Sequence, residues 1–148
     1  MEEKNTELLF RILENADRRE IDQYQKDYLR EGYSGFPAYM DAMLAEKQMK
    51  RQDVFQKADL PQKYGYKLLS GESHTKDRDK LLRIFISMKM SLKETQRALA
   101  LYGMPALYPK IKRDAILIIA LNRGCDSVDT VDEWLQEAGE DELSRSGE

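Results

Sequence analysis

An all-α fold is predicted, on three observations. Apolar residues recur at helical spacing in nearly every segment, and no stretch alternates apolar and polar as a half-buried strand would. Three of the four prolines (Pro37, Pro61, Pro109) stand at inferred helix starts. Glycines, or a Ser-Gly pair, stand where the periodicity stops. At 148 residues the chain is expected to form one domain, or one domain with helical appendages.

The elements follow in order. Leu8, Leu9, Ile12 and Leu13 form a short apolar face. Asp17-Arg18-Arg19-Glu20 has capping-box spacing and opens a helix bearing Ile21, Tyr24, Tyr28 and Leu29, which Gly32 ends. After the break Ser34-Gly35-Phe36, Pro37 starts a helix with Met40, Met43 and Leu44 facing inward. Val54, Phe55 and Ala58 line one side of the next short helix. Asp59-Leu60-Pro61 makes a turn, with Pro61 suited to the first position of another helix. Leu68 and Leu69 return to the core, and Ser70-Gly71 stops that helix.

The C-terminal half echoes itself. Arg78-Asp79 with Leu81, Leu82 and Ile84 is repeated 35 residues on by Arg113-Asp114 with Ile116, Leu117 and Ile119. One residue is then gained: Ser91-Leu92, Thr95, Leu99 and Gly103 correspond, 36 residues on, to Ser127-Val128, Val131, Leu135 and Gly139. Each half reads as helix, polar turn with a Ser N-cap, second helix and glycine stop, so two similar hairpins are expected to bury faces that neither buries alone. The run Ala115–Leu121 is apolar nearly all round. That predicts a helix covered on most faces, either lying beneath the hairpins with Trp134 and Leu135 over it or meeting a second subunit. The small, acidic residues after Gly139 are expected to fray. The expected organisation is 1–33 N-terminal helical extension, 34–103 core, 104–139 C-terminal hairpin and 140–148 acidic tail.

Composition narrows the function. Charged residues make up 34% and hydrophobic residues 41%, as in a helical protein with a modest core. No apolar run nears the roughly 18 residues that span a membrane, and the acidic start MEEKNTE lacks signal-peptide character, so a cytoplasmic protein is expected. The single cysteine, Cys125, excludes an internal disulfide and a cysteine-cluster zinc site. Net charge is −3, but unevenly spread: −5 over 1–46, +5 over 47–83 and −3 over 84–148. A local basic patch, not the total, governs attraction to phosphate.

Catalytic chemistry has little to stand on. The single histidine, His74, lies in the polar loop ESHTKD without a nucleophile placed by motif. There is no phosphate-cradling glycine loop and no HExxH-type spacing. Asp126, Asp129, Asp132 and Glu133 have the spacing of a helix surface, without the glycine turn of a calcium loop. No enzyme activity, metal or cofactor is expected.

The run RQDVFQKADLPQKYGYKLLS, followed by Gly71, carries the positive interpretation. Two short helices around a tight turn, the second polar and cationic, form a helix-turn-helix that can place a helix in the DNA major groove. From Phe36 to Leu99 the chain resembles the lambda-repressor-like, XRE-type helix-turn-helix domain. The matching residues are PAYMDAMLAEK, the motif itself, Ser70-Gly71, a polar loop and RDKLLRIFISMKMSLKETQRAL. The resemblance implies a helix-turn-helix core, here flanked by N-terminal helices and a C-terminal helical hairpin. Departures from the family pattern are Phe55 where a small Ala is usual, Asp59 for Gly, Gly65 for a β-branched residue and Arg51 for Gln. A large Phe55 facing a vacant Gly65 suggests a volume-conserving swap where the two helices cross.

A sequence-specific DNA-binding regulator follows as the expected function, with double-stranded DNA as partner. Gln62, Lys63, Tyr66 and Lys67 share the outward face of the second helix and are the expected base-reading set. Arg51 and Lys50 are expected on phosphate at the start of the preceding helix, with Lys76 and His74 reaching it from the loop. One recognition helix contacts a short half-site, so a homodimer is expected, through the helix bearing Tyr24 and Tyr28 or through the Ala115–Leu121 helix with Trp134. The alternative keeps the fold but binds a protein partner, since a tyrosine-rich exposed helix also suits protein recognition.

Overall fold

A computed structural model describes residues 35–145. The expected N-terminal helices, with Tyr24 and Tyr28, lie outside the described residues. Contacts divide the chain after Gly35, and the account below concerns the unit that begins at Phe36. Among the described residues every regular element is helical: α1 Phe36–Glu46, α2 Arg51–Ala58, α3 Gln62–Ser70, α4 Arg78–Ser87, α5 Leu92–Tyr102, α6 Lys112–Asn122 and α7 Val128–Glu137. None of these helices is long and apolar enough to cross a membrane.

Helical periodicity decides what each element buries. α1 turns Phe36, Met40, Met43 and Leu44 inward, and the Phe36 ring meets Tyr102 of α5 edge-on at 4.7 Å. α2 buries Val54, Phe55 and Ala58, and α3 buries Gly65, Leu68 and Leu69. The centre is α4, whose residues Lys80 to Ser87 are all buried. It packs chiefly against α2, α5 and α7, while α1 packs against α3 and α5.

Where α2 and α3 cross, Phe55 packs over Gly65, as expected from the sequence. A Cβ built on Gly65 would lie 2.5 Å from Phe55 Cδ1, so only glycine leaves room for the phenyl ring. Asp59 ends α2 in the left-handed conformation at φ 59°, a region that Asp enters more readily than most residues. Proline placement is less regular than the sequence suggests. Pro61 is the N-cap of α3 rather than its first helical residue, because its ψ of 137° is extended. Pro109 lies in a turn ahead of α6, which starts at Lys112.

The internal echo is a structural repeat. In both halves a Ser hydroxyl caps the second helix by accepting from the residue three on: Ser91 from Glu94 N and Ser127 from Thr130 N. Lys89 and Gly124 both take positive φ after the first helix, and Gly103 and Gly139 after the second. Polar contacts between the halves are exchanged in mirrored pairs. Arg78 donates to Asp114 at 2.5 Å, and Arg113 forks onto Asp79 at 3.0 and 2.9 Å. Tyr108 N donates to Asp114, and Ser144 N donates to Asp79. Within each copy the same contact recurs, from Leu107 N to Gln96 in the first and from Leu143 N to Asp132 in the second. Contacts that run from the first copy to the second and equally back again define a local two-fold relation, not a translation. The gained residue is Asp126, which pairs with Lys57 of α2 at 2.9 Å.

Three expectations are corrected. Residues 140–145 do not fray: Leu143 is buried, and Arg113 holds the carbonyls of Asp141 and Glu142. Asp132 is not on the surface, since it accepts from Leu143 N inside the fold. Helix α6 is not covered on most faces. It buries Asp114, Leu117, Ala120 and Leu121 but leaves Ile119 49% exposed.

Candidate functional site

The basic segment 47–83 divides into cations held by the fold and cations left in solvent. Arg83 is fully buried and donates to three carbonyls: Ala58 at the end of α2, Leu143, and Ser144. Arg78 is spent on Asp114, and Lys80 lies buried beside Asp77 and the carbonyl of Arg145. Lys47 pairs with Glu94, Lys57 with Asp126, and Arg51 with Asp41. The remaining four, Lys50, Lys63, Lys67 and Lys76, make no ion pair or side-chain hydrogen bond among the described residues. Summing charge along the chain therefore miscounts the patch, because Arg78, Lys80 and Arg83 serve the interior.

Three of the four lysines are placed by the second helix of the motif and its exit: Lys63 and Lys67 lie on α3, and Lys76 lies in the loop that follows. Lys50 is the N-cap of α2, and no side chain caps that helix. The uncapped first-turn amides share that turn with the acidic Asp53, at the positive end of the helix dipole. Gln62 sits at the start of α3 and donates its amide to the carbonyl of Gln52 at 2.9 Å. That bond holds the first turn of α3 against the first turn of α2. Lys63 and Gln62 are exposed and Lys67 is half-buried. Tyr66 is 46% exposed and packs on Phe55 in a T-shaped pair at a 5.2 Å centroid distance, which links the exposed face to the Phe55–Gly65 joint.

The loop residues divide as well. Lys76 is exposed and unpaired, whereas His74 stacks on Tyr102 at 4.3 Å. Tyr102 accepts from Thr75 N at 2.7 Å, so one residue holds the loop before α4 at two successive positions. Burial pushes the Tyr102 phenol above its ordinary range, in keeping with a neutral structural hydroxyl.

Of the expected set, Lys50, Lys63, Tyr66, Lys67 and Lys76 are solvent-accessible and unengaged by polar partners, while Gln62, Arg51 and His74 are already held by neighbours. Sequence reading missed those restraints, because Asp41, Gln52 and Tyr102 lie in other helices. No group of three or more His, Cys, Asp or Glu residues among the described residues is arranged to hold a metal ion. Compared with protein-family models, curated proteins and solved structures, the chain matches none.

Proposed function

We propose that the protein is a sequence-specific DNA-binding regulator in which α2 and α3 form a helix-turn-helix and α3 enters the major groove. The observation that carries this reading is the set of unpaired lysines on those two helices and their flanking turns, in a fold that neutralises or buries the neighbouring cations. In this reading Gln62, Lys63, Tyr66 and Lys67 face the bases. The uncapped start of α2, with Lys50 and Arg51, receives one phosphate, and Lys76 with His74 receives another. Arg51 leaves Asp41 on binding; an exposed pair of that kind contributes at most about 1 kcal/mol, so the exchange is cheap against a phosphate. Gln62 keeps its carbonyl oxygen and one N–H free while bound to Gln52, enough to read one base edge.

Exposure of Tyr66 favours a second reading, in which the same surface binds a protein and leaves DNA alone. Selection of random duplexes on the purified chain, followed by anisotropy titrations at several salt concentrations, separates the two. For DNA, log affinity falls linearly with log salt. Gln62→Ala is expected to relax preference at one base position, at a cost of about 1–3 kcal/mol on the selected site. Arg51→Ala is expected to weaken all duplexes alike and to lower the salt slope by about one unit. Failure of the wild-type chain to bind any duplex at low salt rejects the groove reading and leaves the protein surface.

A further inference from the structure

We propose that the segment Leu143–Arg145 is a clasp for the joint between α2 and α3, seated so that clasp and joint open and close as one unit. The evidence is where the two repeats differ. The repeat continues past its glycine stops, since Leu107 and Leu143, again 36 positions apart, are both buried. Each follows a stretch of backbone held by an arginine. Arg78 donates to the carbonyls of Pro105 and Ala106, and Arg113 to those of Asp141 and Glu142. In the first repeat the strap is tied off locally, because Gln96 donates to the Leu107 carbonyl at 3.0 Å and accepts from its N–H at 2.8 Å.

Four differences between the repeats lead to the end of α2. Asp132 stands where Gln96 stands. A carboxylate only accepts, so it takes the Leu143 N–H and leaves the Leu143 carbonyl to another donor. That donor is Arg83, whose mate in the repeat is the apolar Ile118. Arg83 also holds the carbonyl of Ser144 at 2.7 Å and, at 2.9 Å, that of Ala58 at the end of α2. Arg145, whose mate is Pro109, pairs with Asp59 at 2.9 Å. The gained residue Asp126 pairs with Lys57. Three successive residues, Lys57, Ala58 and Asp59, are thus each held from outside α2 and α3. Unrelated surface differences would not converge on one turn.

The energetic link runs through Arg83, which is fully buried between the clasp and α2. A buried cation is tolerated only while its donors are satisfied. Unseating 143–145 strands the donors on Nε and Nη2, and moving the end of α2 strands the one on Nη1. Departure of either side therefore raises the cost of keeping the charge buried against the other. The joint itself is closed by the amides of Asp59 and Leu60 on the carbonyls of Gln56 and Phe55, at 3.1 and 3.0 Å. Exchange of those two amides measures its opening. In the groove reading this joint sets how α3 is presented, but the clasp stands whether or not α3 reads DNA.

Amide hydrogen exchange on the full chain, read residue by residue by NMR, tests the coupling. The first repeat supplies the control, because Leu107 is buried like Leu143 but its carbonyl is held by Gln96 of α5. Leu143→Ser is expected to speed exchange at Asp59 and Leu60 roughly tenfold more than Leu107→Ser does. If either variant unfolds, Arg145→Ala, which trims a half-exposed side chain, gives the deciding comparison. It is expected to speed exchange at Asp59 and Leu60 about threefold and to leave Gly103 and Met104 at the end of α5 unchanged. Coupling is reciprocal. Asp59→Asn, which suits the left-handed turn but removes the charge, is therefore expected to speed exchange at the Leu143 amide by a similar factor. Equal effects of the two leucine variants at Asp59 and Leu60 overturn the proposal, as does an Arg145→Ala comparison without a local change. So does a Leu143 amide indifferent to Asp59→Asn, because clasp and joint then open independently.

Discussion

Phe55 and Gly65 show how far single residues could be interpreted before any contact was known. A large side chain at a tight helix crossing and a glycine inside a helix are each unfavourable alone. Together they conserve volume, and the phenyl ring occupies the space that a Cβ at position 65 would need. Replacing Gly65 by Ala gains about 1 kcal/mol of helix propensity. The ring is fully buried and cannot swing aside, so overpacking is expected to outweigh that gain and leave Gly65→Ala destabilised by about 1–3 kcal/mol. Urea titrations of Gly65→Ala, alone and with Phe55→Leu, check this. The second substitution should recover part of the loss, and a neutral or stabilised single variant would sink the account. Arg83 is the opposite case. Nothing local distinguishes it from the other cations of 47–83, and only the meeting of α2, α4 and the 140–145 segment makes it an internal donor.

Helix ends were legible for a local reason: caps are made by residues within four positions of each other. Ser91 and Glu94 form the full capping box that starts α5. Partial burial pushes the Glu94 carboxyl up, but hydrogen bonds from Ser91 and the Lys47 ammonium outweigh it and hold its pKa below the ordinary range. A lowered folded pKa means stability that is complete above the unfolded value and is lost as pH falls through the folded one. The melting-temperature difference between wild type and Glu94→Gln is thus expected to be constant above about pH 5 and to shrink below about pH 4. A difference that does not change with pH would place the effect in packing instead of charge. Ser91→Ala should cost about 1 kcal/mol. The misread elements, α6 and the tail, share another cause. An all-round apolar helix predicts cover without saying whose, and an acidic tail predicts solvent unless one residue such as Leu143 finds a pocket built by distant helices.

At the scale of the molecule, the two-fold exchange of Arg–Asp pairs joins the hairpins. Asp114 and Asp79 each accept from an arginine and from a backbone amide of the other copy. Arg113 shows the balance of effects. Its burial acts to lower its pKa, yet the Asp79 carboxylate beside it raises the value further and keeps the pair charged. Asp79→Ala and Asp114→Ala each strand a guanidinium and an amide. Both are expected to cost about 3 kcal/mol, the low end for a broken buried pair because the arginines keep some solvent. Chemical denaturation of the two variants checks the symmetry. A neutral Asp79→Ala beside an unfolded Asp114→Ala would show that the two contacts are alike in geometry only.

The sequence by itself determined the all-helical class, the helix stops at Gly71, Gly103 and Gly139, the two serine caps, the repeat and the Phe55–Gly65 joint. Each depends on periodicity, on φ preference, or on a large and a small residue paired within a few turns of chain. Tertiary structure alone decided which cations remain free, that Asp132 and Leu143 are interior, and that α6 keeps an open face. Those outcomes depend on groups brought together across 10 to 69 positions of chain, from Arg51 on Asp41 to Lys57 on Asp126. Charge and hydropathy along a sequence record what a side chain can do, but burial and pairing depend on which distant groups the fold places beside it.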